Sequence, residues 1–207
     1  MFKLLVGLVS LALMSTAVAD QGRVYSKSDV VELSTGNYEY AGKSKLYRTN
    51  DKICVSATIP NAPTGAYTAW VTIYNEPLTC DASDNGDEIL GGQCIFWDAF
   101  NPTSRSTMMW LDGSLAGDKN VVRFDRCLAV NTVSHEVFGF GTQEGVVNPM
   151  TAEVQLTIRH HGPMQLDNAY ILGTQLNSFA GGCSGVIEDF DCADMFAVKH
   201  SAVNIVD

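Results

Sequence analysis

The chain has 207 residues, 13 Lys and Arg against 23 Asp and Glu, a formal charge of -10, and six cysteines among 46% hydrophobic residues. That acidity repels phosphate and anionic lipid, and no Lys/Arg cluster with interleaved aromatics reverses it locally, so nucleic acid is not an expected partner. The length fits one domain with a sizeable core, and no internal repeat or low-complexity linker argues for a second.

Residues 1–19 read as a secretory signal: Lys3 gives the positive start, Leu4 to Met14 the apolar run, and Ala17-Val18-Ala19 the small-x-small cleavage pattern. The run falls short of the roughly 20 apolar residues of a membrane span. No lipid-bearing cysteine follows it, and the polar end HSAVNIVD offers no anchor tail. The expectation is a secreted or periplasmic protein without a membrane anchor. Six cysteines in an exported chain predict three disulfides, with 15 pairings open in principle. Cys80 with Cys94 and Cys183 with Cys192 would each close a short Gly/Asp-rich loop, leaving Cys54 and Cys127 to link two strands. No CxxC pair or CxxC…HxxxH spacing supports zinc.

Residues 20–50 form a polar segment, part of the domain or packed on it, in which Val30 to Leu33 reads as a first strand or a short helix. The main domain is expected over residues 51–207. There Ile53 to Ile59 and Ala66 to Tyr74 are strands, divided by a turn holding two prolines and a glycine. Strands are also expected at Cys94 to Trp97, Ser106 to Leu111, Val121 to Val130, Glu136 to Phe140 and Ala152 to His160. A final pair falls around Ile171 to Phe179 and Met195 to His200. Gly, Asp and Asn-Pro punctuation separates them. The pattern predicts an all-β, single-domain, disulfide-stabilised β-sandwich of jelly-roll or Ig-like type, with a barrel as the alternative.

At GAYTAWVTIYNEP followed by Cys80 and Cys94, at VNPMTAEVQLTIRHHGP, and at FAGGCSG, the chain resembles a group of exported proteins of unknown function. They share an AYTLW…FNNP…C strand and loop, a strand ending in HGP, and an F-GGC ending. The resemblance spans roughly Ile53 to Ala197. It implies a secreted β-rich domain and singles out Arg159, His161, Gly162 and Pro163 as a unit. This chain departs from the pattern at Gln155, where the group has a histidine, and in a longer acidic insert between Cys80 and Cys94.

Three candidate sites follow. Ala152, Val154, Leu156 and Ile158 alternate with Glu153, Gln155, Thr157 and Arg159, so Arg159 and His161 end one polar strand face while His160 lies on the other. A guanidinium beside a titratable ring, joined by His135 and Glu136 from another strand, suits an anionic or sugar ligand. The bland counterpart is ion pairing for Arg159 and backbone bonding for a buried histidine. Second, Asp81, Ser83, Asn85 and Asp87 match the first half of a calcium loop, but Gly92 stands where the bidentate Glu belongs. Calcium is therefore the one cofactor in view, against the simpler reading of a solvated acidic loop. Third, Trp70, Tyr74, Trp97, Phe100 and Trp110 offer a ligand platform or core packing, with Trp70 and Tyr74 sharing a Thr-bearing face.

No G-x-S-x-G elbow, HExxH or phosphate loop is present. The leading expectation is a binding or extracellular structural module without cofactor chemistry, taking a small-molecule, glycan or protein ligand. The alternatives are a hydrolase using His161 and Arg159 with a nearby acid, and calcium-dependent assembly through the acidic loops.

Overall fold

Period-2 alternation builds most of this molecule, as β3 and β4 show. Along β3 (Lys52–Pro60), Ile53, Val55, Ala57 and Ile59 are all buried and face inward. Along β4 (Gly65–Tyr74), Tyr67, Ala69, Val71 and Ile73 do the same. The computed structural model describes residues 22–33, 39–80, 90, 92–183 and 192–201. The remaining strands are β1 (Val24–Glu32), β2 (Tyr40–Arg48), β5 (Ser106–Ala116), β6 (Val121–Ala129), β7 (Glu153–His160) and β8 (Ala193–His200). All eight make one antiparallel sheet in the order β5-β4-β7-β8-β1-β2-β3-β6.

The sheet curls until its outermost strands, β5 and β6, meet. Across that seam the backbone N–H of Arg123 donates to Ser114 Oγ at 3.2 Å, and that of Asp125 to Asp112 Oδ2 at 3.5 Å. Of the architectures left open by the sequence, this all-β fold takes the near-closed barrel. From the N-terminal polar segment, β1 and β2 are integral to it, because they lie between β8 and β3. Eight strands leave an interior just wide enough for side chains to fill. Here it is filled by Leu46, Ile53, Val71, Phe124, Leu156 and Val198, among others.

The three disulfides join Cys54 to Cys127, Cys80 to Cys94 and Cys183 to Cys192, the pairing that loop length suggests. Cys54 and Cys127 face each other directly on β3 and β6. Such a framework belongs to an oxidising, non-cytoplasmic environment. No helix among the described residues is long and apolar enough to cross a membrane. The region expected to be a signal, residues 1–19, lies outside the described residues.

Three local expectations are corrected. Cys94 to Trp97 is not a strand; a 3-10 helix covers Phe96–Phe100, started by Asp98, whose carboxylate accepts the Ile95 N–H at 2.8 Å. Ile171 to Phe179 is instead mostly an α-helix, α1 (Ala169–Asn177), capped by the Asn168 side chain on the Ile171 N–H. Glu136 to Phe140 forms no strand of its own, only a bridge between Val137 and Met109. These segments lie on the outside of β4, β5 and β7. They bury that second face too: Thr68, Trp70, Thr72 and Tyr74 are each 2% exposed or less.

Candidate functional site

The outer face of β7 carries Glu153, Gln155, Thr157 and Arg159 in succession and leads into His161. At its far end, the GGC loop is bound by a directional chain of hydrogen bonds. Trp70 Nε1–H donates to Thr68 Oγ1 at 2.9 Å, and the Thr68 hydroxyl meets His161 Nε2 at 2.7 Å. His161 Nδ1 lies 2.5 Å from the Gly181 carbonyl, which can only accept. Nδ1 therefore bears the proton and Nε2 accepts from Thr68. The ring is fully buried, and burial, the largest cause, pushes its pKa down to about 4, so it is neutral near pH 7.

Arg159 is equally committed. Its Nη1 donates to Asp194 Oδ1 at 2.8 Å, its Nη2 to the Cys192 carbonyl at 3.2 Å, and the guanidinium rests 4.1 Å from the Phe179 ring centroid. Only its buried Nε lacks a hydrogen-bond partner. The HGP turn is fastened from the other side by Gln175 of α1, whose Nε2 donates to the His161 and Pro163 carbonyls, both at 2.9 Å. Gly162 takes a positive φ of 79° there, which favours glycine. Arg159, His161, Gly162 and Pro163 thus form a unit, and the unit is a structural tie.

The remaining members of that candidate do not join it. His135 Nε2 meets the Asn177 carbonyl at 2.7 Å and its ring packs edge-on against Trp110. Glu136 accepts the Phe179 N–H at 3.4 Å. Both secure the end of α1. His160 points into the barrel and stacks on Tyr67 at 4.6 Å. Trp70 and Tyr74 present no face to a ligand, since both are 0% exposed beneath the outer layer. The proposed calcium ligands Asp81, Ser83, Asn85 and Asp87 lie outside the described residues.

At the near end of the same face, Glu153 and Lys199 form a fully buried ion pair at 3.7 Å. Lys199 Nζ donates to the Cys94 carbonyl at 2.5 Å, and Glu153 accepts the N–H groups of Gln93 at 2.8 Å and Cys94 at 3.0 Å. Burial, outweighing these bonds, raises the Glu153 pKa above the ordinary range. A Cβ at Gly92 would strike Lys199 Cδ and the Glu153 carboxylate. Glycine alone fits against this clamp.

Between the two ties lies a cavity of about 280 Å³. Gln155 and Thr157 of β7 and Ala197 of β8 line it from the sheet; Phe96, Phe138, Phe140 and Phe179 line it from the outer segments. The rings continue in edge and tilted contacts, from buried Trp70 through Phe138 and Phe140 to Phe100, Phe96 and the exposed Trp97. Gln155 is 6% exposed, and its Oε1 is buried with no hydrogen-bond partner. Asp194, the ionisable group that lines the cavity among the described residues, is already paired with Arg159.

Comparison with protein-family models, curated proteins and solved structures finds no match. The site is therefore read from its own chemistry. Two groups of potential metal-binding atoms occur among the described residues, His161–Cys183–Cys192 and Cys80–Cys94–Asp98. Each contains both sulfurs of one disulfide, which supply no thiolate.

Sequence reasoning named Phe100 and Trp97 but missed the walls themselves. Phe138-Gly139-Phe140 and the phenylalanine before GGC carried the available signal: bulky rings in glycine-rich connections, where no strand core needs them. Gln155 stood out only as a departure from a resemblance, yet it lines the cavity with Thr157 and Asp194.

Proposed function

We propose that this protein is an exported binding module that takes a small, predominantly apolar ligand in the phenylalanine-walled cavity on the outside of its barrel. The leader-like start of the chain and the three disulfides support export. The observation that carries the binding reading is an apolar cavity walled by four phenylalanine rings, with the polar residues Gln155 and Thr157 in its lining. Ligand sites typically combine apolar walls with a few placed polar groups, and this volume sits at the small end of such sites, suited to one or two rings.

The hydrolase alternative requires Arg159, His161 and a carboxylate to converge on a concavity. Instead, both His161 nitrogens are engaged in the tie, and neither His161 nor Arg159 lines the cavity. The test is calorimetric titration of the full chain with 2-naphthol, alongside Thr157→Phe, which fills the cavity from the sheet side. Saturable one-to-one binding, weakened at least tenfold by Thr157→Phe at an unchanged melting temperature, is expected. No saturable binding to the wild-type chain eliminates the reading.

A further inference from the structure

We infer that the Cys54–Cys127 disulfide is a thiol-exchange site, open to an external dithiol, and that it locks an outermost strand of the barrel. The inference is independent of the cavity and its occupant. Of the three bridges, Cys80–Cys94 is sealed, its cysteines 5% and 0% exposed, and Cys183–Cys192 is half-buried. Cys127 is exposed and Cys54 partly so. Exchange begins when a thiolate reaches a disulfide sulfur from outside, so access decides which bridge is attacked first. The strand pattern puts this one outside. Ile53, Val55, Ala57 and Ile59 take the inner face of β3, and Val122, Phe124 and Leu128 that of β6, so Cys54 and Cys127 point outward. They stand directly opposite in a ladder that runs from Lys52 with Ala129 to Pro60 with Val121.

The two sulfurs differ in their neighbours. On the outward face Lys52 and Asp125 stand at opposite ends of the cysteine pair, while Lys45 of β2, opposite Ser56, lies on the Cys54 side. A neighbouring ammonium favours a thiolate, and a stabilised thiolate leaves faster. The incoming thiolate therefore attacks the exposed Cys127 Sγ, and the electron pair of the broken S–S bond goes to Cys54. The partner's second thiol then displaces Cys127 from the mixed disulfide. Two cysteine thiols and one oxidised partner result, with both of the dithiol's protons now on the cysteines. Among the described strands β6 is paired with β3 alone, and it meets β5 through Ser114 and Asp112. Cutting the bridge leaves β6 its ladder but removes its covalent fastening beside the seam. The ladder keeps the two thiols opposite each other, so reoxidation restores the same pair.

The test treats the native full chain with dithiothreitol, quenches samples at intervals with N-ethylmaleimide and maps the labelled cysteines by mass spectrometry. Cys54 and Cys127 should be labelled about tenfold or more faster than the other four, while near-ultraviolet circular dichroism stays native. Labelling of either other bridge first or at an equal rate, or of all six only as the fold is lost, overturns the exchange site. A brief pulse of reduced glutathione should leave its adduct on Cys127. An adduct mainly on Cys54 overturns the direction of attack. Hydrogen exchange then tests the lock, on the selectively reduced chain and on the double variant Cys54→Ser with Cys127→Ser, which needs no reductant. The Arg123 and Asp125 amides of β6 should exchange faster while those of β7 hold their rate. Unchanged exchange in β6, or acceleration throughout the barrel, overturns the lock and leaves the exchange site standing.

Discussion

The two ends of the outer face of β7 and its middle differ in what their polar side chains do. Glu153 at one end and His161 at the other are the residue types that suggest chemistry, and both are spent on holding a disulfide loop to the barrel. Gln155, between them, is chemically bland and ties nothing down: its side-chain oxygen is buried without a hydrogen-bond partner. The ties at the ends hold the layer that contributes the phenylalanine walls.

Four measurements break or sharpen this contrast. The largest effect is expected at the near tie. Lys199→Met takes the cation away from the buried Glu153 carboxyl group, and should cost roughly 3–5 kcal/mol of unfolding free energy in urea titrations. A loss under about 1 kcal/mol would show that the pair is not structural. At the far tie, His161→Ala removes a fully buried ring and leaves the Thr68 hydroxyl and Gly181 carbonyl unpaired. Its expected cost is roughly 3 kcal/mol.

Acid should loosen the same tie. His161 and His200 both have pKa values pushed down to about 4, chiefly by burial, against 6.5 for an ordinary histidine. The unfolded chain therefore takes up these protons before the folded one does. Their contribution to stability is complete above pH 6.5 and is lost as pH falls toward about 4, by roughly 3 kcal/mol for each ring. Chemical unfolding at intervals through that window measures it, and a flat profile would contradict the buried neutral rings. His200 reports separately, since its nitrogens meet Ser26 and Ser44 on the opposite side of the sheet from the cavity. The smallest effect has the opposite sign. Gln155→Leu removes an unpaired buried acceptor and should stabilise the ligand-free protein by about 1 kcal/mol. A destabilisation of that size would mean the amide is already satisfied.

Much of the barrel was legible because β3, β4 and β7 alternate strictly between two faces, and short loops between cysteines restrict their pairing. The outer layer was harder to read. In α1 the fully buried residue is Gln175, so no apolar stripe marks the helix; its start depends on the single Asn168 cap. In the 3-10 helix Phe96–Phe100, the apolar run resembles a strand until Asp98 turns back to cap it. For the site, residue type pointed to Arg159 and His161, while their partners come from segments tens of residues away, at Thr68, Gly181 and Asp194. Whether a polar atom is satisfied is a property of the folded neighbourhood, which is why Gln155 was not recognisable in advance.

The seam of the barrel also limits how a macromolecular partner could engage it. Along β5, the Ser106 carbonyl accepts from Thr142, Met108 accepts from Phe138, and the Trp110 N–H donates to Glu136. The later part of the strand meets β6 through Ser114 and Asp112. The outermost strands of the sheet are thus engaged by the protein's own segments, and addition of a foreign strand would first have to displace them. Recognition through an extra β-strand is disfavoured here, leaving side-chain surfaces as the accessible route for contact.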